Sequence, residues 1–190
     1  MLDFTAVREK RARLGELTAH LSLSDLHALT DEMVNDMLAI LEDAQDPDVT
    51  FPPADPAAND RFAANPDEVS IAWTLGHVVV HATASSEEAG ALASQLARGL
   101  EIKDRSRYEV PWSEMITVAQ LRQRLEESRR MRHAFLETWP DSPHYEMLFT
   151  ASYPGAEPVN AIGRFVFGLY HDSSHLEQMR EILRQAKAAR

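Results

Sequence analysis

Apolar residues recur at intervals of three and four positions along most of this chain, which is the spacing of amphipathic α-helices. The first long run of this kind spans residues 24–45, and Ser24 is a residue type suited to cap its start. Further runs span residues 70–98, 117–138 and 159–187. Residues 3–20 have a spacing that suits a surface helix with a narrow apolar side, which predicts an extra helix at the N-terminus. The pattern therefore predicts four long helices and one N-terminal addition.

Two proline-containing stretches interrupt the helical spacing. Prolines with polar residues between them occur repeatedly in residues 46–68 and 141–158, and they exclude a continuous helix there. Connections of this length indicate crossover or covering loops. His144 and Tyr153 of the second loop could cover a site, but loop histidines are usually polar surface, and neither residue is a catalytic candidate. No alternating strand pattern competes with the helices. We therefore expect one all-α domain over residues 1–190, a four-helix bundle with long crossover loops.

The composition narrows the possible chemistry. The 190 residues include no cysteine, so any metal must be bound by imidazole, carboxylate or water, and disulfides and thiolate nucleophiles are excluded. The formal net charge of -11 disfavours nucleic acid as a partner. Because no run of about 18 apolar residues and no basic, apolar leader is present, we expect no membrane span and a cytoplasmic location.

Histidine is therefore the residue type to follow, and two histidine pairs share one spacing. His171 and His175 lie four residues apart in the last predicted helix, and His77 and His81 lie four apart in the second. Side chains at i and i+4 lie one above the other on a helix, so each pair can direct two imidazoles at one ion. His77 and His81 lie among apolar residues, where a solvated helix face would carry lysine and glutamate. His171 and His175 lie on a second, partly polar line of the last helix, which indicates that this line faces a pocket.

Two interpretations of these pairs stay open on spacing alone. Two inward-facing pairs can supply three nitrogen ligands to one divalent ion and leave one coordination position open, which is the pattern of catalytic metal sites. Alternatively, these are core histidines that hydrogen-bond to protein groups and bind no ion. Two other metal motifs do not occur: the chain has no HExxH sequence, and Asp172-Ser-Ser-His175 is a single imperfect match to the paired Glu-x-x-His of ferritin-like proteins.

Two separated motifs resemble the DinB-like (DinB/YfiT) superfamily of four-helix metalloproteins. Trp73-Thr-Leu-Gly-His-Val-Val-Val-His81 is similar to the family's Trp-Ser-x-x-x-x-x-x-His. Tyr170-His-Asp-Ser-Ser-His-Leu-Glu-Gln178 is similar to its terminal His-x-x-x-His-Leu-Gly-Gln, with Glu177 where the family often has glycine. Members of this family bind one divalent ion, such as zinc, nickel or iron, through three histidines.

The resemblance implies roles for individual residues. The metal ligands would be His81, His171 and His175, with His77 as an alternative to His81. Gln178 would hydrogen-bond a ligand or a substrate. The implied cofactor is one divalent transition metal.

The resemblance also implies a class of activity. Family members include transferases and isomerases that use low-molecular-weight thiols such as bacillithiol or mycothiol, and proposed hydrolases. This chain would then be a metal-dependent enzyme that acts on a small molecule. By its position on the helix line of the histidines, Arg164 could receive a carboxylate from a thiol cofactor or substrate; the alternative is a solvated or ion-paired arginine.

Two other hypotheses compete with an enzyme. One is a non-catalytic, damage- or stress-associated bundle whose metal only stabilises the fold, and the other is a metal-free interaction module in which the histidines are dispersed. A homodimer is also possible on the sequence, because Leu14 and Leu17 of the N-terminal segment leave room for an interface.

Overall fold

Helices account for nearly all of the regular structure. The computed structural model describes residues 2–60, 66–103, 107–151 and 156–190. In these ranges the α-helices are α1 (Thr5–Arg8), α2 (Leu14–Thr18), α3 (Leu23–Ile40), α4 (Asp46–Val49), α5 (Leu75–Ala97), α6 (Val118–Glu137) and α7 (Ala161–Ala189). Two short 3₁₀ helices and an isolated bridge between Phe149 and Val159 are also present. The all-α class is confirmed. Of the helices within these ranges, none is both long and apolar enough to cross a bilayer.

The start of α3 is decided by a capping box. The Ser22 hydroxyl accepts a hydrogen bond from the backbone N–H of Asp25, whose carboxylate accepts one from the backbone N–H of Ser22. As a result, α3 begins at Leu23, with Ser22 in place of Ser24 as its cap. It ends at Ile40, before the predicted limit near residue 45, because turns follow at residues 41–43.

The start of α5 lies later than the apolar spacing predicts. The Thr74 hydroxyl accepts a hydrogen bond from the backbone N–H of His77 at 3.2 Å, which caps the helix at Leu75. The predicted start at Ser70 lies instead in a turn. Equivalent side-chain caps precede α6 and α7.

The N-terminal segment forms two short helices in place of the one predicted. Lys10 has a φ of 58°, and this left-handed conformation ends the helical path after α1. The next helix, α2, carries Leu14 and Leu17, which are partly buried against the core of the chain. The surface considered for a homodimer is therefore partly covered by the chain itself.

One apolar core joins the four long helices. The contact between α5 and α7 is the most extensive, and α3 and α6 pack against this pair. Fully buried residues from all four helices form the core, among them Leu26, Met37, Val78, Ala93, Leu121, Leu136, Val166 and Met179. The two helices that carry the histidine pairs are therefore neighbours along much of their length.

Gly168 allows α7 to approach α5 closely. A Cβ atom at this position would lie 2.8 Å from the Cβ of Ala89 and 3.1 Å from the Cα of Ser86. We expect Gly168→Ala to lower the free energy of unfolding by about 1–2 kcal/mol in urea denaturation, because overpacking outweighs the gain in helix propensity. Gly15→Ala is the matched control, since nothing lies within 4 Å of its added methyl group. Unchanged stability of Gly168→Ala would contradict the close packing.

Candidate metal centre

Three imidazoles meet where α5 contacts α7. His81 lies on α5, and His171 and His175 lie one turn apart on α7. The Nε2 atom of His171 is 3.2 Å from Nε2 of His81 and 3.4 Å from Nε2 of His175. One possible ligand atom of each histidine lies within 4.8 Å of those of the other two. The structure thus brings together the three residues that the family resemblance implies as ligands.

Two of these distances match the spacing of nitrogen ligands around a tetrahedral metal ion. Nitrogen ligands at about 2.0–2.1 Å from zinc, at tetrahedral angles, are about 3.3 Å from one another. The two measured Nε2–Nε2 distances, 3.2 and 3.4 Å, lie on either side of this value. Within the described part of the chain, no aspartate, glutamate or further histidine joins the group. An ion held by these three residues would therefore keep one position open.

All three rings are neutral at pH 7, which is the form that binds metals. Burial, followed by the charges of neighbouring His171 and Arg107, lowers the pKa of His81 to about 2. Burial and the neighbouring His175 lower the pKa of His171 to about 3. Burial also lowers the pKa of His175, against the opposing effect of its hydrogen bond with Gln178.

Gln178 orients one of the candidate ligands. Its Oε1 atom lies 2.8 Å from Nδ1 of His175. An amide oxygen accepts hydrogen bonds, so the proton of neutral His175 lies on Nδ1 and its Nε2 presents a lone pair to the other two histidines. The sequence predicts a hydrogen-bonding role for Gln178, and the structure places that bond on a candidate ligand.

The Nδ1 atom of His81 faces a charged pair that sequence analysis does not single out. Nη2 of Arg107 lies 3.0 Å from Nδ1 of His81 and 3.4 Å from its backbone carbonyl oxygen. The same nitrogen forms an ion pair with Glu109, whose Oε2 lies 3.9 Å from Nδ1 of His81. Both residues lie in the connection between α5 and α6, where no periodic pattern marks functional positions.

His77 lies apart from the three histidines, although it is one turn from His81. Its ring stacks between the indoles of Trp73 and Trp112, with ring centroids 4.5 Å and 5.0 Å apart. Its Nδ1 atom is buried and has no hydrogen-bond partner among the described residues. Burial lowers the pKa of His77 to about 4, so the ring packs as a neutral aromatic group. Of the two α5 candidates, His81 is the one whose ring meets α7.

A cleft of about 350 Å³ opens onto the three histidines. Trp73 forms part of its wall, and the indole centroid lies 4.4 Å from the ring of His81 and 5.9 Å from that of His175. The proline-containing connection before α5 adds acidic and amide side chains to the wall, Asp55, Asn59 and Asp60. The cleft is therefore large enough for a small molecule and combines an aromatic surface with polar groups.

Comparison with protein families identifies the family of the chain. The family model described as the DinB superfamily matches residues 29–179. The chain belongs to the DinB superfamily. The matched residues include all three histidines at the cleft, and the resemblance inferred from the two motifs is confirmed. Neither the comparison with curated proteins nor the comparison with solved structures gave a match.

In this DinB-superfamily chain, Arg164 is not among the described residues that line the cleft. Its guanidinium lies over the rings of Phe149 and Phe167, 5.6 Å and 5.2 Å from their centroids. Its place on α7 explains this, since seven residues of helix separate Arg164 from His171 by about 10 Å along the axis. The backbone N–H of His144 donates to the carbonyl oxygen of Ala97 at the C-terminal end of α5, and Tyr153 lies outside the described residues.

A buried ion pair next to the histidines is a second feature that sequence analysis misses. Asp172 follows His171 on α7, and its Oδ2 atom lies 2.6 Å from Nη1 of Arg132 on α6. The Ser86 hydroxyl of α5 donates to the other carboxylate oxygen at 2.7 Å. Three helices are thus joined one residue from a candidate ligand. The helical spacing of α6 could have identified Arg132, because this residue lies two turns after buried Leu125 on the same inward-facing side of the helix.

Proposed function

We propose that this member of the DinB superfamily binds one divalent transition metal, such as zinc, nickel or iron, through His81, His171 and His175. The four long helices form the bundle that holds the site, and the protein acts as a metal-dependent enzyme on small molecules, of the thiol S-transferase or hydrolase type. The observation that carries the proposal is the convergence of three neutral imidazoles at the cleft, where Nε2 of His171 lies 3.2 Å from Nε2 of His81 and 3.4 Å from Nε2 of His175.

Hydrogen bonding among the three rings does not account for their arrangement. Nε2 of His171 lies between the Nε2 atoms of the other two histidines, and a neutral ring carries one N–H. If Nε2 of His171 bears the proton, it donates to one neighbour; if it does not, it accepts from one neighbour. In either case one short contact is left without a hydrogen bond, whereas a cation accepts a lone pair from each ring.

The residues around the site support chemistry on a small molecule. A divalent ion would supply Lewis acidity, which lowers the pKa of a water or thiol that binds it and polarises a carbonyl group. Three neutral ligands leave the charge of the ion uncompensated, so the site favours an anionic group such as a thiolate. Trp73 would pack against the apolar part of the substrate, and Gln178 keeps His175 in its metal-binding orientation.

Metal analysis of the purified protein tests the proposed ligands. We expect about one equivalent of a transition metal per chain in the wild type and less than about a tenth in His171→Ala, because loss of one of three ligands removes most of the affinity. His144→Ala, which replaces a half-exposed loop histidine, is the control that keeps the metal. Unchanged metal content in His171→Ala would refute the site. Loss of metal in His77→Gln but not in His81→Gln would assign the α5 ligand to His77.

Activity assays then separate an enzyme from a metal-stabilised bundle. Zinc- and nickel-loaded protein would be tested for transfer of a low-molecular-weight thiol to electrophiles and for ester and amide hydrolysis. We expect turnover that His171→Ala lacks. Full metal content without turnover in this panel, together with a large stability loss on metal removal, would favour the non-catalytic alternative.

A further inference from the structure

The contact between Arg107 and His81 conflicts with metal binding by His81. A guanidinium nitrogen only donates, so with Nη2 of Arg107 at 3.0 Å the Nδ1 atom of His81 accepts. The one proton of the neutral ring then lies on Nε2, which donates to Nε2 of His171 at 3.2 Å. In this tautomer His81 has no lone pair to offer an ion between the three histidines.

The tautomer that binds a metal needs an acceptor beside Nδ1, and Glu109 is placed to provide one. Its Oε2 atom lies 3.9 Å from Nδ1 of His81. A shift of about 1 Å would bring the two atoms to hydrogen-bond distance. A carboxylate that accepts from the outer nitrogen of a histidine directs the inner nitrogen at the metal and makes it a stronger ligand.

We propose that Arg107 and Glu109 are positioning residues that control metal loading in opposite directions. Arg107 stabilises the metal-free tautomer of His81, and Glu109 stabilises the metal-binding tautomer. In the metal-binding form, the proton on Nε2 of His81 would have passed to solvent and Nδ1 would have taken one up from solvent. The Nδ1–H group would donate a hydrogen bond to the Glu109 carboxylate, and Arg107 would give up its contact with Nδ1. This inference rests on the metal site proposed above.

The surroundings of the pair suit such an exchange. The side chains of Arg107, Glu109 and His81 are 22%, 29% and 15% exposed, so their interactions are only partly screened by water. The Nε atom of Arg107 is buried and, among the described residues, has no hydrogen-bond partner. Releasing Nδ1 of His81 would cost Arg107 this one hydrogen bond, while its ion pair with Glu109 can persist.

The zinc affinities of two variants test whether Arg107 and Glu109 affect metal binding in opposite directions. By competition with a chromophoric chelator, we expect Arg107→Met to bind Zn²⁺ about 10-fold more tightly than the wild type and Glu109→Gln about 10-fold more weakly. Lys103→Met and Glu101→Gln are matched controls, because they remove one charge of each sign from exposed positions of the same connection. Weaker binding by both Arg107→Met and Glu109→Gln, or changes equal to those of the controls, would overturn the proposal.

The tautomer of His81 provides a readout that needs no metal. In ¹⁵N NMR of the metal-free protein, we expect protonated Nε2 in the wild type and a shift toward protonated Nδ1 in Arg107→Met. An unchanged tautomer in Arg107→Met would overturn the inference even if the site binds zinc. If instead the wild type and His171→Ala bind zinc equally weakly, the proposed metal site itself fails, whichever tautomer is found.

Discussion

Replacing Arg132 with methionine is expected to lower the free energy of unfolding by about 3–5 kcal/mol. The side chains of Arg132 and Asp172 are 1% and 0% exposed, and their closest atoms are 2.6 Å apart. Methionine fills a similar volume without the positive charge. Of the hydrogen-bond partners described for the Asp172 carboxylate, only the Ser86 hydroxyl would then remain. A carboxylate buried without a counter-charge is costly because it has lost its hydration.

Urea denaturation of single and double variants checks this expectation. Arg132→Met/Asp172→Asn should recover a large part of the loss, because no charge is then buried without its partner. Arg180→Met is the surface control: its ion pair with Glu177 is exposed, and we expect a change within experimental error. A double variant that is less stable than Arg132→Met would show that the two side chains do not act as a pair.

The metal-free protein is expected to lose stability steeply as the pH falls below about 6.5. The folded-state pKa values of His77, His81 and His171 are lowered to about 4, 2 and 3. Between these values and the pKa of an unfolded histidine, the unfolded chain binds the proton and the folded chain does not. Stability is therefore complete above the unfolded pKa and decreases as the pH falls toward the folded values. Each histidine contributes about 1.4 kcal/mol per pH unit, so the three together would remove about 6 kcal/mol by pH 5, a large part of the stability of an ordinary domain.

Urea unfolding in the presence of a chelator, measured from pH 7 to 5, checks the slope. His77→Gln should make the slope shallower by about 1.4 kcal/mol per pH unit, whatever its stability at pH 7. Other titrating groups, including Asp172, whose pKa burial raises, contribute equally to both proteins and cancel in this comparison. His20→Gln, which replaces an exposed histidine, is the control for the substitution itself. Identical slopes for the wild type and His77→Gln would contradict the expectation.

The long helices could be predicted because their apolar spacing is local information. Residues three and four positions apart share a helix face whatever the rest of the chain does. The ends of α3 and α5 were less accurately predicted, because they depend on the capping bonds of Ser22 and Thr74. The N-terminal helix was predicted as one element because the left-handed conformation of Lys10 leaves no mark on the apolar pattern.

The candidate site was predicted in part. Two motifs contain the three converging histidines and Gln178, and both histidine pairs were expected to point inward. The choice between His77 and His81 stayed open, because both lie on one helix face about 6 Å apart along the axis. Which of them meets α7 depends on where α7 lies along α5, and that is set by contacts such as the close approach at Gly168.

The helical class, the family and the two segments that carry the histidines follow from the amino-acid sequence, because each is encoded by residues close together in the chain. Which side chains meet became clear from the packing of the helices and loops. It placed Arg107 and Glu109 beside His81, paired Arg132 with Asp172 and kept Arg164 away from the cleft. Such contacts join residues far apart in sequence, and their separation is set by helix packing and loop paths that no local periodicity specifies.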